Sequence, residues 1–146
     1  MRYTIGALGA AAALAVGCLA STTAVAHADS QGQSSLYAPS ALVLTIGKGE
    51  DAATAAVQRA VVLRCTPRPG GDHPAAAEAC SQLRAVNGEF SALTQPPAPG
   101  TVCTRIYDPV TVTADGVWNG RRVSWSQTFA NQCVMEGTTQ GNVFAF

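Results

Sequence analysis

The chain has its clearest strand pattern at Ala41-Leu42-Val43-Leu44-Thr45-Ile46. The run is rich in aliphatic and β-branched side chains, and Gly47 and Gly49 end it, which is typical of a β-strand bounded by turn residues. A second strand is predicted at Ala60–Cys65, where prolines and glycines follow the apolar run. Glu50–Gln58, which connects the two strands, is predicted to be a loop.

One helix is predicted over Pro74–Asn87. Proline suits the first position of a helix, because the N–H that it lacks has no partner there. Asp72 and His73 precede the proline and can cap the free amides. Gly88 follows Asn87 and favours a stop. The spacing places the following residues along one face: Ala76, Ala79, Cys80, Leu83 and Val86.

The second half of the chain reads mainly as strands. Val110–Thr113 alternates like a strand and is predicted to be interrupted at Asp115-Gly116. Asn119-Gly120 has the composition of a two-residue hairpin turn. The remaining predicted elements are a strand at Val123–Phe129, a short helix at Asn131–Glu136 and an apolar strand at Asn142–Phe146. The sequence therefore predicts an α+β fold with roughly five antiparallel strands and one or two helices on one face.

The first 28 residues have the pattern of a secretory signal. A basic start at Arg2 precedes an uncharged run, Ile5–Ala20, which is short for a membrane-spanning helix. Ala26-His27-Ala28 is a small-x-small cleavage site, so we expect Met1–Ala28 to be removed and the protein to be extracellular. The alternatives are a lipoprotein signal with Cys18 lipidated, or an uncleaved anchor.

Cleavage would leave 118 of the 146 residues, which suits one domain. Because Arg2 leaves with the signal, 8 basic residues then face 9 acidic ones. This near-neutral balance argues against nucleic acid and against electrostatic membrane adhesion. The polar, small-residue stretch Asp29–Ser35 is predicted to be a flexible N-terminal arm that precedes a domain at 36–146.

Four cysteines remain after cleavage: Cys65, Cys80, Cys103 and Cys133. An even count in a small exported domain predicts two disulfides. Cys80 on the inner helix face could reach Cys65 on a strand, but four cysteines allow three connectivities and the sequence alone does not choose. A metal site is disfavoured, because short-spaced cysteine pairs are absent from the sequence and His73 is the one histidine left. We expect no cofactor.

Several motifs resemble the Streptomyces subtilisin inhibitor family of secreted serine protease inhibitors, and they follow one another in order over 36–146. They are Leu36–Gly49, His73-Pro74-Ala75-Ala76, Ile106-Tyr107-Asp108-Pro109-Val110, Asp115-Gly116-Val117-Trp118 and Val143-Phe144-Ala145-Phe146. The resemblance implies an inhibitor fold, disulfides Cys65–Cys80 and Cys103–Cys133, and a homodimer formed by stacked sheets. It also implies extracellular subtilisin-like proteases as partners.

The resemblance further implies a reactive loop with its scissile bond two residues after the loop cysteine, between Arg105 and Ile106. Arg105 would then occupy the primary-specificity position, where its guanidinium suits the carboxylate-bearing pocket of trypsin-like proteases. Asn131 matches a family position that supports the loop by hydrogen bonding. Thr104 departs from the family, which commonly has proline there. The other loop residues are Cys103, Tyr107 and Asp108.

The sequence gives less support to other functions. Enzyme activity is disfavoured, because the sequence shows no plausible nucleophile–base pair, no His-Glu-x-x-His motif and no phosphate loop. An interaction protein or transglutaminase substrate without inhibitory activity is the main alternative, with Gln31 and Gln33 in the arm as candidate sites. Metalloprotease inhibition through another surface is a third possibility, which nothing in the sequence tests.

Overall fold

A computed structural model describes residues 37–97, 99–139 and 141–146. The predicted signal at 1–28, the predicted arm at 29–35, and Gln31 and Gln33 with it, lie outside these residues. The elements in chain order are β1 (Ser40–Lys48), β2 (Ala56–Thr66), β3 (Gly70–Gly71), α1 (Ala76–Ala85), a 3-10 helix (Phe90–Leu93), β4 (Val110–Trp118), β5 (Arg121–Phe129) and α2 (Gln132–Thr138).

The strands form one antiparallel sheet in the order β3-β2-β1-β4-β5. The central strand β1 alternates as its apolar pattern requires, with Leu42, Leu44 and Ile46 buried on one face and Val43 exposed on the other. The α+β prediction of a five-stranded antiparallel sheet is confirmed. None of the helices among the described residues is long and apolar enough to cross a membrane.

The core lies between the inner face of the sheet and the helices. Leu63 of β2 is fully buried, as are Ala79, Cys80 and Leu83 of α1. Phe90, Trp125 and Phe144 form an aromatic cluster, with Trp125 5.4 Å from Phe90 and 5.7 Å from Phe144 between ring centroids.

Two disulfides cross-link the domain. Cys65 of β2 is bonded to Cys80 of α1, and Cys103 is bonded to Cys133 of α2. These are the two pairings that the family resemblance implied. Each closes a loop in the chain, with sequence separations of 15 and 30 residues.

The second strand is longer than predicted. β2 begins at Ala56, so the predicted loop Glu50–Gln58 ends early and Val57 pairs with Gly47. Its far end continues to Thr66.

The prediction that Asp115-Gly116 interrupts a strand is wrong. β4 runs through both residues, and Gly116 pairs with Leu42 on one side and Val123 on the other. Gly116 has φ 146°, and a Cβ there would lie 2.3 Å from the Ala41 carbonyl oxygen. The glycine therefore permits the close approach of β1 and β4, instead of breaking the strand.

The predicted terminal strand at Asn142–Phe146 is also wrong, and the fifth strand is the two-residue β3. The backbone of the terminal segment bonds to side chains: Asn142 N–H donates to Gln82 Oε1 at 2.7 Å, and His73 Nε2 lies 3.1 Å from the Val143 carbonyl oxygen. Val143 and Phe144 are nevertheless buried. Their apolar character reflects burial in the core, not strand pairing.

The predicted helix is shorter than expected. α1 starts at Ala76, so Pro74 lies in the preceding turn and not at the first helical position. His73 Nδ1 accepts the Ala75 N–H at 3.1 Å, just before the helix. The hairpin prediction is confirmed, because Trp118 pairs with Arg121 across Asn119-Gly120, both of which have positive φ.

Candidate functional site

The candidate site is the segment 101–109, which connects a proline-rich stretch to β4 and has no helix or strand. Its side chains point largely into solvent: Val102 is 90% exposed, Ile106 69% and Tyr107 62%. Arg105 is exposed as well. Large apolar side chains exposed in this number on one loop are typical of a surface that another molecule covers.

The N-terminal side of the loop is fastened to α2. The Cys103–Cys133 disulfide joins the loop to the second residue of this helix, with a Cα–Cα distance of 5.7 Å. Thr104 and Arg105 follow Cys103 directly, so the exposed arginine lies only two residues after a covalent anchor.

Asn131, the residue before α2, bonds to the loop backbone on both sides of Arg105. Its Nδ2 donates to the Thr104 carbonyl at 3.0 Å and to the Ile106 carbonyl at 2.9 Å. Its Oδ1 accepts the Val134 N–H at 3.0 Å, which caps the helix. Asn131 is 7% exposed, so the amide is buried with donors and acceptor satisfied.

The C-terminal side of the loop has its own contacts. The Asp108 N–H donates to the Ala130 carbonyl at 2.9 Å, and the Asp108 carboxylate forms an ion pair with Lys48 at the end of β1. The pKa of Tyr107 is raised, chiefly by side-chain hydrogen bonding with Glu50 and then by desolvation and the negative charge of Glu50.

The loop is therefore an exposed chain held at several points, with the exposed side chains of Arg105 and Ile106 between the anchors. Because its backbone is already ordered, a partner that binds it pays less conformational entropy than for a free peptide. Within the described residues there is no group of three His, Cys, Asp or Glu side chains arranged to hold a metal ion.

The structure brings the predicted site residues together. Cys103–Asp108 form one continuous loop, and Asn131 lies beneath it. Sequence reasoning missed Lys48, the last residue of β1, and Glu50 in the connection to β2, both of which act on the loop. Lys48 is the only lysine in the chain, but no local pattern links it to an aspartate 60 residues away.

The sheet order, the helices and the two disulfides define a small disulfide-linked α+β domain. A family model described as subtilisin inhibitor-like matches residues 38–131. A subtilisin inhibitor from Streptomyces violaceus is 52% identical over 147 residues, which span all of both chains. Protease inhibitor SIL-V5 from Streptomyces luteoverticillatus is 59% identical over 110 residues, which cover 75% of this chain and all of the relative.

A solved structure matches as well. It is the crystal structure of Streptomyces caespitosus sermetstatin in complex with Bacillus licheniformis subtilisin, with a TM-score of 0.70 at 49% identity. The match covers 74% of this chain and 99% of that chain. This chain belongs to the subtilisin inhibitor-like family, and the relatives named above are protease inhibitors and not enzymes.

Proposed function

We propose that this chain inhibits serine proteases by presenting residues 103–108 as a substrate-like loop, with Arg105–Ile106 as the scissile bond. The observation that carries the proposal is the position of Asn131. Its amide bonds to the carbonyls of Thr104 and Ile106, so the backbone on both sides of Arg105 is fixed while the arginine side chain stays exposed.

A protease binds an extended backbone and one side chain in its specificity pocket. The anchors on this loop supply that conformation before binding, which lowers the ordering cost. If the bond is cut, the disulfide at Cys103 and the contacts of Asp108 retain the two new ends near one another. Inhibition then results because the two ends rejoin before water attacks the cut carbonyl or the new end diffuses away.

Two enzyme classes are the proposed targets. The guanidinium of Arg105 suits a pocket closed by a carboxylate, so trypsin-like proteases are one class. Subtilisin-like proteases are the other, and they are supported by the similarity to sermetstatin, whose crystal structure contains subtilisin.

The bond is tested by mapping the cut. The oxidised protein is incubated with a catalytic amount of trypsin, then reduced and weighed by mass spectrometry. We expect one early cut that yields a fragment ending at Arg105 and a fragment beginning at Ile106. A first cut at another arginine, such as Arg121 at the start of β5, would contradict the assignment.

We also propose a homodimer that buries the outer face of the sheet. Val43 and Val62 are cross-strand partners on this face and are 44% and 37% exposed, although they are large and apolar. Sedimentation at micromolar concentration should show a dimer, and Val43→Lys should shift it to monomer, whereas Ala85→Lys on the exposed side of α1 should not. A wild-type monomer would contradict this proposal.

We further propose that the protein is exported and loses Met1–Ala28. Two disulfides support this, since such bonds persist in oxidising compartments outside the cytosol. Sequencing of the protein from culture medium should find Asp29 at the N-terminus. A lipid-modified Cys18 or an intact Met1 in the membrane fraction would contradict it.

A further inference from the structure

The last residue of β1 and the start of its connection to β2 act on three consecutive residues of the loop, all of them after Ile106. Lys48 forms the ion pair with Asp108, and the Gly49 N–H donates to the Pro109 carbonyl at 3.0 Å. Glu50 acts on Tyr107, since side-chain hydrogen bonding and the negative charge of Glu50 raise the pKa of the Tyr107 hydroxyl. None of these contacts reaches the residues before the Arg105–Ile106 bond, so they act on one side of it only.

This connection is itself fixed to the sheet. Thr111 Oγ1 lies 2.7 Å from the Gly49 carbonyl oxygen, and Thr128 Oγ1 lies 2.8 Å from that of Glu50. The two hydroxyls are also 2.8 Å apart. Because each hydroxyl carries one proton, two of these three contacts are hydrogen bonds at any one time. Thr111 is 2% exposed, so the cluster anchors the connection from within the sheet.

We propose that Lys48 and Glu50 are positioning residues that hold the leaving-group side of the reactive loop after cleavage and so favour resealing over hydrolysis. The proposal rests on the inhibitory function proposed above. We call the Lys48–Glu50 segment with its contacts to Tyr107, Asp108 and Pro109 the leaving-side clamp.

The chemistry shows where the clamp acts. The protease serine adds to the Arg105 carbonyl carbon, the C–N bond to Ile106 breaks, and the Ile106 nitrogen takes a proton from the enzyme's general acid. The Arg105 carbonyl is then an ester on the serine. If the Ile106 amine attacks this ester, the peptide bond reforms and the serine regains its proton. If water attacks instead, Arg105 ends as a carboxylate and the enzyme is free.

Resealing therefore depends on how long the Ile106 amine stays beside the ester. In the intact chain the peptide bond holds the segment after Ile106 even without the clamp. In the cut chain the new end is still tethered through β4, but only non-covalent contacts fix its position beside the ester. Loss of the clamp should thus release the cut form more than the intact form, and shift the equilibrium between them toward the cut form.

The ion pair suits this role better than a role in overall stability. The side chains of Lys48 and Asp108 are 39% and 59% exposed, and exposed ion pairs contribute little to the free energy of unfolding. The variants should therefore fold normally.

The test compares Lys48→Met, Glu50→Gln and the double variant with the wild type. Arg84→Met and Glu89→Gln, at exposed positions on α1 and before the 3-10 helix, are matched controls. Each protein is incubated with a catalytic amount of trypsin, starting from the intact and from the pre-cut form, until the ratio of cut to intact protein is constant. The inhibition constant and the thermal midpoint of unfolding are also measured for each protein.

We expect the double variant to raise the equilibrium ratio of cut to intact protein about fivefold and to shorten the duration of inhibition. The thermal midpoint should stay unchanged. The single variant Lys48→Arg, which keeps a positive charge at position 48, should have the wild-type ratio of cut to intact protein. A wild-type ratio in the double variant, with inhibition intact, would overturn the clamp and leave the proposed function standing. A wild type that neither inhibits trypsin nor is cut at Arg105–Ile106 would overturn both.

Discussion

Asn131 Nδ2 lies 2.9 Å from the carbonyl oxygen of Ile106, so the residue that caps α2 also holds the backbone immediately after Arg105. The same nitrogen donates to Thr104, and Oδ1 accepts from Val134. One buried amide thus links the start of a helix to the shape of the loop.

This relationship predicts different outcomes for two substitutions at Asn131. Asn131→Asp keeps the oxygen that caps α2 but turns a buried carboxylate oxygen, which cannot donate, toward the carbonyls of Thr104 and Ile106. We therefore expect inhibition to weaken about tenfold or more and the unfolding free energy to fall by about 1–3 kcal/mol. Asn131→Ala also loses the amide donor and weakens inhibition, and it removes the helix cap, which should lower the unfolding free energy by about 1 kcal/mol. Inhibition constants and thermal unfolding separate the two effects; equal inhibition by wild type and Asn131→Asp would contradict the role of the amide.

The two disulfides should differ in what their removal does. Replacement of Cys65 and Cys80 by serine should lower stability by about 3 kcal/mol on a loop-entropy estimate and leave inhibition intact below the lowered midpoint. Replacement of Cys103 and Cys133 should cost about 3.5 kcal/mol and also free the loop, so the variant should be cut rapidly as a substrate. Timed protease assays on folded protein test this. Durable inhibition without Cys103–Cys133 would contradict it.

Gly88 lies three residues after the end of α1, against the indole of Trp118. It has φ 77°, and a Cβ would lie 2.3 Å from Trp118 Cδ1. Gly100 has φ 90° but no atom near its Cβ position, which makes it a matched control. Gly88→Ala should destabilise the protein by about 1–3 kcal/mol more than Gly100→Ala, because it adds overpacking to the same backbone strain. Equal unfolding free energies for the two variants would contradict this reading.

The pKa of Tyr107 lies above its ordinary value of 10.0, chiefly because the hydroxyl donates to Glu50. A raised folded-state pKa means that this contact is complete below the unfolded pKa and is lost as pH rises through the folded one. The difference in absorbance titration between wild type and Tyr107→Phe isolates this group. Glu50→Gln should move its midpoint down toward the ordinary value; an unchanged midpoint would show that Glu50 is not the cause.

The sequence predicted the elements whose pattern reflects burial on one face. The alternation in β1 and the inner face of α1 appear as expected, and the Asn119-Gly120 turn is a local signal that needs no tertiary information. The predictions were wrong where the same sequence pattern is compatible with two different structures. Val143 and Phe144 are apolar because they fill the core, and Gly116 is a glycine because another strand passes close to it.

Within the loop, the family resemblance supplied the residues from Cys103 to Asp108 and Asn131. The contacts of Lys48 and Glu50 were out of reach, because they join residues far apart in sequence through the pairing of β1 with β4. That pairing places Lys48 opposite Val110, the first residue after the loop. The proximity is a consequence of register, which no local motif encodes.

The central claim is that Arg105 is the residue presented to the protease. Trypsin and subtilisin should each be titrated with the folded, oxidised protein and with Arg105→Gly. The account predicts stoichiometric inhibition of trypsin by the wild type and its collapse in the variant. Undiminished trypsin inhibition by Arg105→Gly, or no inhibition of either enzyme by the wild type, would contradict it.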